Sequence, residues 1–220
     1  GLTGKELNAY IDAFIRSDHE CTTREEALEK AGKGMQIFIR EGSAAKNLKA
    51  LLPAVTPFNH GCFSFCTDDR DPFDILEQGH IDYLIRYSIQ QGIDPVIALR
   101  MATINTARYF NLRSMGAIAP GYKADMVVVN NLEDFHITTV IKDSRIVVKD
   151  GKLLDDMEGI YKDLPHNIGT ITLSSIEEKD ITIPAVGEKI RTIEMTEGSL
   201  LTKELLLEPK IENNLVIPDP

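Results

Sequence analysis

Two short strings carry the side chains best suited to chemistry, Ser17-Asp18-His19-Glu20 and Cys66-Thr67-Asp68-Asp69. A neutral imidazole and a carboxylate are ligands for zinc, manganese or iron. A catalytic zinc usually has three protein ligands, so His19 and Asp68 alone do not complete a site. Each string follows a short apolar segment, Phe14-Ile15 in one case and Cys62-Phe63-Ser64-Phe65-Cys66 in the other. If these segments are parallel strands, both strings sit at strand C-termini, where the loops of an α/β barrel form its open face. Plainer readings stand beside this one. A lone histidine is far more often structural than a ligand. Asp68-Asp69 could simply lead into a helix capped by Asp71. His60 precedes Gly61 in a turn, His80 lies inside a predicted helix, His136 starts a strand and His166 follows a proline, so none is assigned a site. Cys62 and Cys66 alternate with Phe63 and Phe65, as core-packing thiols do. No CxxC pair and no glycine-rich phosphate loop of standard spacing is present.

Loops of this kind need a scaffold, and residues 1–113 read as one. Thr3 with Glu6, and Thr23 with Glu26, have the capping-box spacing at the start of apolar-periodic stretches. Phe14 and Ile15 either extend the first helix or begin a short strand that ends at Ser17. Gly34 stops the second helix, and Met35–Ile39 is a strand candidate. Ser43 is placed as the cap of a helix running to Leu52 and ended by Pro53. Asp71-Pro72 and Asp94-Pro95 are cap-then-proline starts. The first predicts one helix to about Gln91, stopped by Gly92, and the second a helix ending near Phe110. Strand and helix in alternation predict a parallel sheet with right-handed crossovers, either open or closed into a barrel. From Ser114 the texture becomes all-β. Strands are expected over 125–129, 136–141, 145–148, 168–173 and 190–193, with Lys142-Asp143-Ser144-Arg145 and Asp150-Gly151 as turns.

The bulk properties set outer limits. The chain has 220 residues, 43% hydrophobic, enough apolar content for a packed core. Twenty-four Lys and Arg against 34 Asp and Glu give −10, which disfavours a nucleic-acid partner. Its longest apolar runs, such as Met126–Val129, fall far short of the ~20 residues a membrane helix needs, so no membrane partner is expected. Three cysteines, an odd number, point to reduced thiols and a cytoplasmic location. A start at Gly1 and an end at Leu215–Pro220 lead us to expect a segment of a longer protein.

The strings SDHECT (17–22), REGSAAKNL (40–48), FCTDDR (65–70), GHID (79–82) and MATIN (101–105) closely resemble the bacterial adenine deaminases. GAIAPGYKAD (116–125) is similar to a stretch shared across the wider amidohydrolase superfamily. The resemblance implies an α/β fold: the C-terminal half of a metal-dependent (β/α)8 barrel over 1–113, part of a β-sandwich over 114–165, and the start of a mixed C-terminal domain over 166–220. It implies hydrolysis of adenine to hypoxanthine and ammonia by metal-activated hydroxide, with a purine as the small-molecule partner. The metal is expected to be manganese, with iron or zinc as alternatives, and binuclear in the full-length enzyme. Of the family's ligands only two map here: His19 as the sixth-strand histidine and Asp68 as the eighth-strand aspartate. The first-strand HxH pair and the fifth-strand histidine would precede Gly1. Asp68 is therefore expected to be both ligand and proton carrier, Asp69 to face the purine, and Glu20 to hold substrate or orient His19. Arg40 and Ser43 are read as shaping the pocket or capping a helix. The isolated segment is expected to be inactive, and the incomplete sheet, with two open edges, to pair with another polypeptide or with a copy of itself in a homo-oligomer. Two alternatives remain: an amidohydrolase acting on a cyclic amide or another aminopurine, and a non-catalytic barrel relative.

Overall fold

Short apolar runs separated by capped helices give the core of this protein its order. The computed structural model describes residues 1–154, 173–196 and 201–218. The chain divides into two compact units, Gly1–Asp155 and Asp156–Pro220.

In the first unit three strands, β1 (Ser17–Asp18), β2 (Gln36–Arg40) and β3 (Phe63–Cys66), form a parallel sheet in that order. The register pairs Ser17 with Gln36 and Arg40 with Cys66, so the C-terminal ends of β2 and β3 are level. Helices cover the sheet: α1 (Gly4–Asp12), α2 (Arg24–Gly32), the single turn α3 (Leu48–Leu51), α4 (Pro72–Glu77), α5 (Ile81–Gln90), α6 (Pro95–Ala102) and α7 (Ile104–Tyr109). Ile37, Ile39, Phe63 and Phe65 are buried, and Leu7, Ala27, Leu51, Leu84 and Met101 close over them. Apart from Ala27, side chains of this size each contribute about 1.5–3 kcal/mol when taken out of water. Burial of both faces explains why β2 and β3 read as nearly unbroken apolar runs.

Several local expectations change. The first strand starts at Ser17 rather than ending there: α1 stops at Asp12 and Phe14 turns left-handed at φ 65°. Thr3 makes no side-chain cap bond; at that helix start Glu29 Oε1 reaches across from α2 and takes the Gly4 N–H at 2.9 Å. Thr23 does cap α2, accepting from the Glu26 N–H, while Glu26 itself turns to the Thr22 N–H instead of closing the box. Ser43 caps no helix; α3 begins after Asn47. The helix predicted from Pro72 to Gln91 is two helices. Gly79, at φ 109°, breaks it, and His80 sits in the break rather than inside a helix. The helix from Pro95 divides similarly at Thr103, whose hydroxyl donates back to the Leu99 carbonyl at 2.6 Å.

Strands β4 (Met126–Val129), β5 (Ile137–Lys142), β6 (Arg145–Lys149) and β7 (Lys152–Leu153) follow as an antiparallel meander. Its tight turns fall at Asp143-Ser144 and Asp150-Gly151, with both residues of each at positive φ, as two-residue hairpins require. In the second unit β9 (Ile190–Met195) pairs antiparallel with β10 (Thr202–Leu207). A small sheet joins β8 (Ile183–Pro184), β12 (Leu215–Val216) and β11 (Ile211–Glu212). The strand expected over 168–173 lies outside the described residues except for Leu173, which is in no strand. Among the described residues no helix is long and apolar enough to cross a membrane.

Candidate metal centre

The site is assembled from the loops that leave the C-terminal ends of the parallel strands. After β1 the chain turns through His19 and Glu20. Asp18 makes that turn: its Oδ1 accepts the Glu20 N–H at 2.7 Å, and its Oδ2 accepts from Lys30 Nζ at 2.6 Å. Lys30, on α2, is buried and also donates to Glu26 Oε1 at 2.7 Å. Burial alone would discharge all three groups, but the mutual hydrogen bonds outweigh it. Lys30 is pushed above its ordinary range, and the Asp18 and Glu26 carboxyls are held below theirs.

After β3 the chain turns left-handed at Asp68, φ 51°, a conformation that aspartate tolerates. This turn brings Asp68 beside the β1 loop. One ligand atom each from His19, Glu20 and Asp68 lies within 4.8 Å of the others. His19 Nε2 is 3.4 Å from Glu20 Oε1. The three side chains are 51%, 58% and 41% exposed, so they form the open face of the site.

Beneath them lies Arg40, the last residue of β2, with a side chain only 2% exposed. Its Nη1 donates to Glu20 Oε1 at 2.9 Å and to Asp68 Oδ2 at 3.0 Å. Its Nη2 donates to Glu20 Oε2 at 2.9 Å and to Asn47 Oδ1 at 3.3 Å. Burial works against the guanidinium's charge, and these carboxylates more than restore it. Cys66 lies next to this group, where burial pushes its thiol up to about 12.

Asp69 points elsewhere. Its Oδ2 accepts the Ala44 N–H at 2.8 Å, and its Oδ1 fills the space a Cβ on Gly42 would need. Ser43 ties the same turn to α4, donating to Asp74 Oδ2 at 2.6 Å and accepting the Asp71 N–H at 2.9 Å. His80 bonds Thr67 Oγ1 at 2.9 Å and so braces the β3 loop. The structure thus brings His19, Glu20 and Asp68 together and leaves Asp69 at the rim. Arg40 and Lys30 are the residues sequence reasoning undervalued. The available signal was a cation ending a buried apolar run in one case, and a lysine four residues after Glu26 on a buried helix face in the other.

A neutral nitrogen and carboxylate oxygens at this spacing fit a hard to borderline divalent cation. Arg40 engages both Glu20 oxygens and one of Asp68, so His19 and Asp68 Oδ1 are the donors free of the guanidinium. An apolar groove of about 570 Å³ lies elsewhere in the first unit, between Leu99 and the β4–β5 hairpin, and includes none of these residues.

The amidohydrolase family model matches residues 2–153. The chain is 61% identical over 219 residues to an adenine deaminase of Thermosipho africanus, covering all of this chain and 38% of the relative. It is 55% identical, with the same coverage, to an adenine deaminase of Kosmotoga olearia. The chain therefore spans well under half the length of these curated relatives. Among solved structures, a beta-aspartyl dipeptidase of Fervidobacterium islandicum AW-1 aligns with a TM-score of 0.55 at 22% identity, over 70% of this chain and 47% of that one. That likeness bears on the fold alone.

Proposed function

The chain belongs to the amidohydrolase family, and from that premise we propose that it is part of an enzyme that hydrolyses adenine to hypoxanthine and ammonia. The observation that carries this reading is 55–61% identity to adenine deaminases over 219 residues, covering all of this chain. We assign residues 1–113 to the second half of a (β/α)8 barrel, 114–165 to part of a β-sandwich and 166–220 to the start of a C-terminal domain. The parallel order β1-β2-β3 with intervening helices supports the first assignment, and the β4–β7 meander supports the second. The 165/166 boundary lies outside the described residues. The sheet's open edges support pairing with further strands of the longer protein, or with a second copy in a homo-oligomer. Three free thiols support a cytoplasmic setting.

His19 and Asp68 would hold a divalent cation, manganese by preference and iron or zinc as alternatives, within a binuclear centre completed by the rest of the protein. When bound, such an ion lowers the pKa of water toward 7. The chain's own groups do the rest. Asp68 takes the proton of the attacking water on its free oxygen and passes it to the departing ammonia. Water adds at C6 of adenine, the C–N bond breaks, and the oxygen remains in hypoxanthine. Glu20, fixed by Arg40, orients His19 and borders the substrate. Asp69 meets a ring nitrogen when one of the two carries a proton.

The test uses the full-length protein loaded with manganese. Adenine is followed by ultraviolet absorbance and ammonia by a coupled assay. The wild type should release one ammonia per adenine, and Asp68→Asn should lose at least about 10²-fold in kcat. Near-normal turnover by the variant would remove Asp68 from this role. A folded, metal-loaded wild type that leaves adenine unchanged would discard the substrate and direct the search to other aminopurines and cyclic amides.

A further inference from the structure

Arg40 is placed where no exposed substrate can touch it, yet it joins all three strands of the sheet at the site. From the end of β2 it reaches Glu20 beyond β1 and Asp68 beyond β3. The contact with Glu20 is fork to fork, two near-equal bonds of 2.9 Å, which fixes the plane of that carboxylate. The contact with Asp68 uses one oxygen only, Oδ2. Asn47, itself buried, completes the hold on Nη2. Nε has no partner, so the guanidinium is buried with one N–H unsatisfied.

An arrangement like this is a poor source of stability. Two charges taken from water return little net energy, and an unpaired buried N–H costs more. What it supplies is geometry. Five donors in one rigid plane can orient two separate carboxylates at once, which a lysine ammonium cannot do. It also places a positive charge between Glu20 and Asp68, which would otherwise repel each other.

Building on the deaminase reading above, we propose that Arg40 is a positioning residue that occupies one oxygen of Asp68 and both of Glu20, so that Asp68 presents a single oxygen, Oδ1, to the cation and to the proton in transit. Without Arg40 the Asp68 carboxylate is free to rotate and to offer both oxygens.

The experiment compares full-length wild type with Arg40→Lys and Arg40→Met. Cation affinity is a weak readout here, because removing a positive charge tightens binding while loss of orientation loosens it. The informative readouts are the visible spectrum of the cobalt(II)-loaded protein, which follows coordination number and ligand set, and the split of kcat from KM. Arg40→Met should alter the intensity of the cobalt bands and lower kcat by about 10²-fold, with KM for adenine within threefold of wild type. Arg40→Lys, which retains the charge and guards against a failure of Arg40→Met to fold, should shift the bands in the same direction and lower kcat at least tenfold. Folded variants with the wild-type cobalt spectrum and kcat within threefold would overturn the proposal. If the wild type itself leaves adenine unchanged, the spectra still decide the role of Arg40, so the two readings fail separately.

Discussion

Replacing Lys30 with methionine keeps the stem of the side chain and deletes its charge, a direct test of the network beneath the β1 loop. In the wild type Nζ lies 2.6 Å from Asp18 Oδ2 and 2.7 Å from Glu26 Oε1. At an effective dielectric constant of about 20, each pair is worth roughly 6 kcal/mol before desolvation. Desolvation of the ions cancels much of this, and removal of one partner from a buried pair costs about 3–5 kcal/mol in practice. Asp18 keeps the Glu20 N–H and Glu26 keeps the Thr22 N–H, so the low end, about 3 kcal/mol, is expected. For an unfolding unit of 150–250 residues that is a Tm lower by roughly 6–12 °C. The effect has a signed pH dependence. Against burial, Lys30 holds Glu26 below its ordinary value of 4.5, so the wild type keeps this stabilisation at neutral pH and loses it as pH falls through the depressed folded value. In Lys30→Met the cation is gone while the Thr22 N–H remains, so burial is opposed less and Glu26 titrates higher than in the wild type. The penalty is then greatest at neutral pH and shrinks as the solution is acidified and the carboxyl becomes neutral. Circular-dichroism melts of full-length wild type and variant between pH 7 and 4.5 read this gap directly. A gap under about 1 kcal/mol at pH 7, or one that does not change with pH, would refute the reasoning.

Two further outcomes follow from the same structure. Gly42 is not at positive φ, so Gly42→Ala strains no backbone angle, but its new methyl displaces the Asp69 carboxylate from the Ala44 N–H and presses on the Thr67 carbonyl at 3.0 Å. If Asp69 contacts the purine, KM for adenine should rise about tenfold in the folded variant, and an unchanged KM would detach Asp69 from substrate binding. Asp94→Ala removes the acceptor for the Val96 and Ile97 N–H groups at the start of α6. It should cost about 1 kcal/mol, seen as a Tm lower by roughly 2–4 °C, without altering kcat.

What the sequence determined by itself is local. The Asp-Pro starts at 71–72 and 94–95, the strands at 36–40 and 63–66 and the turns at 143–144 and 150–151 follow from side chains acting on their own backbone within a few residues. His19, Glu20 and Asp68 stand out as ligand-type residues in short polar strings near apolar segments, and their roles came from the resemblance to the adenine deaminases. Tertiary structure decided everything that depends on a distant partner. Thr3 had the cap spacing but makes no cap bond, and the neighbouring Gly4 N–H is taken by Glu29, twenty-five residues beyond Gly4. Ser43 looked like a cap and became a tie to α4. Gly79 divided a helix that periodicity drew as continuous. Above all, Arg40, read from the sequence as shaping the pocket or capping a helix, and Lys30, given no role there, became buried charges on which the site loops rest. Periodicity shows which face of an element is apolar. It does not show which cation is buried, because a charge is stable out of water only when fixed partners surround it, and those partners come from strands and helices brought together by the fold.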